Sequence, residues 1–145
     1  YTRYPAIKAA QYYRLASLMK PDWVPAMVAQ VKRQRWFRWH DAGDIQSAKH
    51  LTNIFEVCKR TPDTAHWLPT QERKYLPMKG SSVPDNLVIR LSNAKNNTKP
   101  GNAWTHWSTV VDSGGDCPAS KQGNQCKSCR ACWNRDVKNV AYGKH

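Results

Sequence analysis

The sequence predicts an α/β fold: a partial (βα) barrel or an open parallel sheet, with a cysteine-rich metal-binding extension at its C-terminal end. Three observations point there. Segments of helical period alternate with short apolar segments of strand character as far as residue 112. That order is the pattern of right-handed βα units around a parallel sheet. After residue 112 the periodicity stops, and four of the five cysteines fall within residues 117–133. We therefore divide the 145 residues into an α/β partial-barrel domain, 1–112, and a cysteine-rich basic tail, 113–145.

Residues 5–18 read as a helix rich in Ala, Gln, Tyr and Leu, stopped by Lys20 and Pro21. A second helix starts at Asp22, with Pro25 tolerated in its first turn. Val24, Met27, Val28 and Val31 repeat at the spacing of one helix face. Residues 35–40 are aromatic and alternating, which predicts a strand, and "DAGD" ends it as a turn. Ser47 is placed to cap a third helix with the apolar stripe Leu51, Ile54, Phe55 and Cys58. "TAHWLPT" predicts a short strand, "QERKYLPM" a helical turn and "SSVPDN" a loop. "LVIRLSN", residues 87–93, is the clearest strand; the polar loop "AKNNTKPGN" separates it from a fourth, "AWTHWSTVV".

Composition narrows the classes. Hydrophobic residues make up 40%, which excludes a chain disordered by composition. No apolar run approaches the roughly 20 residues a membrane span needs. The start, "YTRYPAIKAAQYY", lacks a signal-peptide pattern. The net charge of +13 favours a polyanionic partner, nucleic acid or nucleotide, and no membrane. These readings predict a cytoplasmic protein.

Cys117, Cys126, Cys129 and Cys132 form a C-x8-C-x2-C-x2-C pattern. Two residues between thiolates let the chain curl so that both sulfurs reach one metal. An odd, clustered cysteine count without a secretion signal favours metal over a disulfide framework. Successive x2 spacings resemble the run of four-iron cluster proteins, while a zinc knuckle stapling a coreless tail fits equally well. Cys58 reads as a buried core thiol.

Strand ends supply the remaining candidates, because ligand sites of parallel α/β folds lie at the C-terminal edge of the strands. His40, Asp41, Gly43 and Asp44 end the first strand; His66, Gln71, Arg90 and Asn93 are expected on the same rim, binding cofactor or substrate. Lys121, Lys127, Arg130 and Arg135 are the candidate nucleic-acid contacts, since the 117–145 stretch carries six Lys or Arg against one Asp. The basic–aromatic run "KRQRWFRW" can hold phosphates and stack bases, with alternation burying Phe37 and at least one Trp.

"YTRYPAIKAAQ", "FRWHDAGDIQS", "HWLPTQE", "LVIRLSN", "CPAS", "GNQCKSCRACW" and "NVAYGKH" together resemble the bacteriophage gene product 88 family, in the same order along nearly the whole chain. The resemblance implies a phage protein similar to radical S-adenosylmethionine enzymes, with a partial (βα) barrel. It implies that Ala42, Gly43 and Asp44 sit where such folds contact S-adenosylmethionine, and that the C-terminal cysteines hold an auxiliary cluster or zinc. It also implies a cysteine-rich stretch just before the part matching Tyr1, holding the catalytic cluster. That trio is absent here, so reductive cleavage of S-adenosylmethionine is not expected of these residues alone. Two functions follow: a radical S-adenosylmethionine-like metalloprotein acting on nucleic acid or nucleotides, or a non-enzymatic zinc-stabilised nucleic-acid-binding protein.

Overall fold

A computed structural model describes residues 4–93, 95–99, 101 and 104–144. Helix α1 (Pro5–Ser17) opens on a proline, whose missing N–H would lack a helical partner at that position anyway. It buries no side chain, and Tyr12, Tyr13 and Leu15 are exposed. Helix α2 (Trp23–Val31) starts after Asp22. Its expected face is the one that packs: Val31 is buried, and Val24, Met27 and Val28 lie against the core. Helix α3 (Ala48–Arg60) is capped as predicted, the Ser47 hydroxyl accepting from the His50 amide at 3.0 Å. Leu51, Ile54, Val57 and Cys58 form its buried stripe.

The strands are β1 (Trp36–Arg38), β2 (Ala65–Thr70), β3 (Leu87–Ser92), β4 (Trp107–Val111) and β5 (Asn139–Gly143). All neighbouring pairs are parallel, and spatial order equals chain order, giving a curled half-barrel. The helical turn predicted after β2 is a short 3₁₀ segment, Arg73–Tyr75. The strand expected from residue 103 begins only at Trp107. Of the polar loop predicted over 94–102, residues 94, 100 and 102 lie outside the described residues, as does residue 103.

Alternation divides the sheet into two faces. Phe37, His66, Leu68, Leu87, Ile89 and Leu91 share the face toward α3 and form the main core with it. Trp36, Trp67, Val88, Arg90 and Val140 lie on the other face. Asn86, just before β3, closes the turn after α3: its amide donates to the carbonyls of Cys58, Thr61 and Thr64 at 2.9–3.0 Å.

The second face carries the main departure from the sequence reading. Residues 113–138 are not a free tail but the connection from β4 to β5. β5 went unpredicted because "NVAYG" is five residues long and follows a polar stretch, so no period stands out. The connection folds back onto the sheet: Cys132 packs with Trp67 and Val140, and Cys117, Ala131, Trp133, Val137 and Tyr142 complete a second apolar cluster. Its start runs so close to β5 that a Cβ on Gly115 would lie 2.5 Å from the Gly143 amide nitrogen.

Candidate functional site

The cysteine loop is built from turns. A 3₁₀ segment (Pro118–Gln122) ends at Gly123, and the chain reverses through Gly123 and Asn124, at φ 66° and 60°. The Asn124 amide returns to the Ala119 carbonyl at 2.8 Å. The Cys129 amide donates to the Cys126 carbonyl at 2.8 Å, with Lys127 at φ 44° inside that turn. A last 3₁₀ turn, Ala131–Trp133, carries Cys132. The x2 spacings are thus consecutive tight turns, which is what brings successive sulfurs to one side.

Arg90 fastens this loop to the sheet. It is fully buried on β3, and its Nε donates to the Cys132 carbonyl at 2.9 Å. Its Nη2 donates to the carbonyls of Ala131 at 2.8 Å and Asn134 at 3.0 Å. A planar guanidinium with donors along its rim can hold several carbonyls of one turn at once; an ammonium cannot fork this way. Burial holds its pKa below the ordinary value. The Tyr142 hydroxyl lies 3.1 Å from the Cys132 sulfur, and burial raises the pKa of both groups. The Trp133 indole N–H donates to the Phe37 carbonyl at 3.0 Å, pinning the loop to β1.

All four clustered cysteines line one cavity of about 150 Å³, with Asp116 and Asn139 at its wall. All five cysteines are free thiols. Among the described residues no group of three or more His, Cys, Asp or Glu side chains stands in a metal-ligating arrangement. The sulfurs share a cavity without meeting at one point. Cys58 is the expected core thiol, its pKa pushed up to about 12 by burial.

The strand-end rim divides. His40 lies just past the end of β1 at φ 52°, and both its ring nitrogens are buried without a hydrogen-bond partner. Its ring centroid is 5.3 Å from that of His50. Burial lowers the His40 pKa, with Asp44 opposing; burial and His40 bring His50 down to about 4. Asp44 is engaged as a tie between strand ends: its carboxylate accepts from the Ile45 amide and the Gln71 amide, both at 2.7 Å, and from the Thr70 hydroxyl. Asp41 is exposed and lies 3.9 Å from Arg38. Gly43 serves the turn, at φ 90°.

Three predicted rim residues sit elsewhere. His66 is near the start of β2 and points into the α3 core, where Nδ1 accepts from the Trp39 indole at 3.2 Å and Nε2 faces the Thr61 hydroxyl at 2.8 Å. Arg90 faces the cysteine loop rather than a ligand. Asn93 bonds within its own loop to Thr98. Among the candidate nucleic-acid contacts, Lys121 and Lys127 are exposed, whereas Arg135 is tied to the chain before β3, donating to the carbonyls of Pro84 at 2.6 Å and Leu87 at 3.1 Å. Trp133 and Tyr142 went unnoticed in the sequence because their partners are 96 and 10 residues away.

Fold and site define a class: an α/β half-barrel whose last crossover is a four-thiol loop bound to the sheet. The family model described as Gene product 88 matches residues 1–135, and the chain belongs to that phage gene product family. No curated protein and no solved structure matches the chain. No helix among the described residues is long and apolar enough to cross a membrane.

Proposed function

We propose that this is a phage metalloprotein that binds nucleic acid, with zinc or an iron–sulfur cluster held by Cys117, Cys126, Cys129 and Cys132. The observation that carries the reading is the shared cavity: four thiols from successive turns line one space of about 150 Å³. The donor chemistry fits, since thiolates take both zinc and iron–sulfur clusters. When bound, the metal would staple turns that have little core of their own, or supply redox chemistry. Nucleic acid is supported by the +13 charge and by exposed cations such as Lys121 and Lys127, which have no carboxylate within 4.0 Å among the described residues.

Metal and acid-labile sulfide content of anaerobically purified protein tests the first half. About one zinc per chain, or iron with sulfide, is the expected result; metal-free protein that takes up neither refutes it. Oligonucleotide binding that weakens steeply with salt tests the second half.

The finer reading, a radical S-adenosylmethionine-like enzyme, is favoured by the sequential parallel order of β1 to β5 and by the unpartnered His40 at a strand end. Asp44 would contribute little, its carboxylate being committed to Thr70, Ile45 and Gln71. Equilibrium dialysis with S-adenosylmethionine tests it, and no uptake by metal-loaded protein rejects it.

A further inference from the structure

β1 is an edge strand, paired within the sheet with β2 alone among the described strands. Phe37 faces the core, so Trp36 and Arg38 face the side covered by the cysteine loop. There the rings of Trp36, Trp133 and Trp67 meet edge to face in a row, with centroids 5.9 Å and 5.2 Å apart. Guanidiniums lie against this row. Arg130 is 5.2 Å from the Trp36 centroid, Arg35 is 5.9 Å from it, and Arg38 is 4.9 Å from that of Trp67. Trp36 is 36% exposed. Among the described residues neither Arg35 nor Arg130 has a carboxylate partner, so their charge is uncompensated.

We propose that Trp36, flanked by Arg35 and Arg130 at the open edge of β1, is a stacking platform for a base of single-stranded nucleic acid. The inference rests on the nucleic-acid reading above and places its contact. The guanidiniums of Arg130 and Arg35 lie over the indole in the free protein; the exposed Arg35 swings aside to give a base the face it covers, and both guanidiniums take phosphates. A paired base within a duplex hides its faces, so the platform selects single strands. Arg130 is positioned by its own loop: its Nη1 donates to the Cys129 carbonyl at 2.6 Å and to the Lys127 carbonyl. The cysteine turns thereby set where one of the two flanking charges stands.

The test is fluorescence anisotropy of the full chain with labelled oligothymidylate and oligouridylate of about 15 nucleotides. Competitors are an abasic oligonucleotide of the same length, which keeps the phosphates and removes the bases, and a duplex. Trp36→Ala is expected to weaken binding roughly tenfold, the worth of one stacked base, and Trp36→Phe to retain most of it. Arg130→Ala should weaken binding and lower the salt slope by about one. Lys49→Ala, on α3, should change little. The abasic strand and the duplex should compete poorly. Unchanged affinity in Trp36→Ala, or an abasic strand that competes as well as oligothymidylate, overturns the platform while leaving a salt-dependent nucleic-acid contact standing. Wild-type protein that binds no oligonucleotide overturns the nucleic-acid reading itself, and the platform with it.

Discussion

Replacing Arg90 by Met tests how the cysteine loop is held. The substitution keeps an unbranched side chain and removes every donor. It leaves the carbonyls of Cys132, Ala131 and Asn134 without the bonds now made at 2.9, 2.8 and 3.0 Å. The longer contacts to Trp107 and Lys138, at 3.5 and 3.4 Å, contribute little. Each buried carbonyl left unpaired costs about 1–3 kcal/mol, and the apolar replacement recovers part through relief of guanidinium desolvation. The net loss is about 3 kcal/mol. Urea unfolding followed by circular dichroism measures it, and limited proteolysis shows where it falls. Cleavage should concentrate in residues 113–138, because these turns lose their anchor on β3. Arg90→Lys should recover only part of the loss, since an ammonium cannot reach carbonyls on a fork. A loss below about 1 kcal/mol with an unchanged cleavage pattern would refute the argument: water would then be satisfying those carbonyls, and the loop would be held by its apolar contacts alone.

Acid should destabilise the fold before its carboxylates titrate. Burial holds His66 and His50 at about 4, below the ordinary 6.5 of an imidazole, so both are neutral in the folded state at pH 7. Their stabilising contribution is complete above pH 6.5 and is lost as pH falls toward 4, up to about 3 kcal/mol each. The urea midpoint should therefore drop between pH 7 and pH 5, and an unchanged midpoint would count against buried neutral imidazoles. Gly115→Ala should cost about 1–3 kcal/mol by calorimetry or urea titration, because the added Cβ meets backbone on β5, not a side chain that can swing away. A melting temperature equal to wild type would show that this segment can shift. Cys126→Ser should reduce metal retained on purification while Cys58→Ala leaves it unchanged, as elemental analysis would show; equal retention in both would remove Cys126 from the site.

Much of the scaffold was legible as local pattern. The face of α2, the Ser47 cap, the stripe of α3 and the first four strands all follow from residue spacing, because period and capping chemistry act over a few residues. Family membership was likewise carried by short blocks in order. The candidate site was only half legible. The cysteine spacing identified the loop, but nothing local said that it returns through β5 to cover the sheet.

Polar residues were the least readable. His66 and Arg90 both lie on strands and look alike as candidate ligand contacts, yet one faces the α3 core and the other the cysteine loop. Alternation shows which residues share a face; it does not show what covers that face, and the cover of the Arg90 face comes from chain 40 or more residues away. Asp44, expected to meet a ligand, is saturated by Thr70 and Gln71 across the strand ends. By itself, then, the sequence determined the helices, most strands, the buried Cys58 and the thiol-rich loop, all set by short-range periodicity and turn chemistry. Only the tertiary structure decided that the loop is a crossover seated on the sheet, that Arg90 is its anchor, and that Trp36 stands at an open edge between two arginines. Each of those depends on packing between distant segments, where burial and hydrogen-bond satisfaction of the whole chain select the partner.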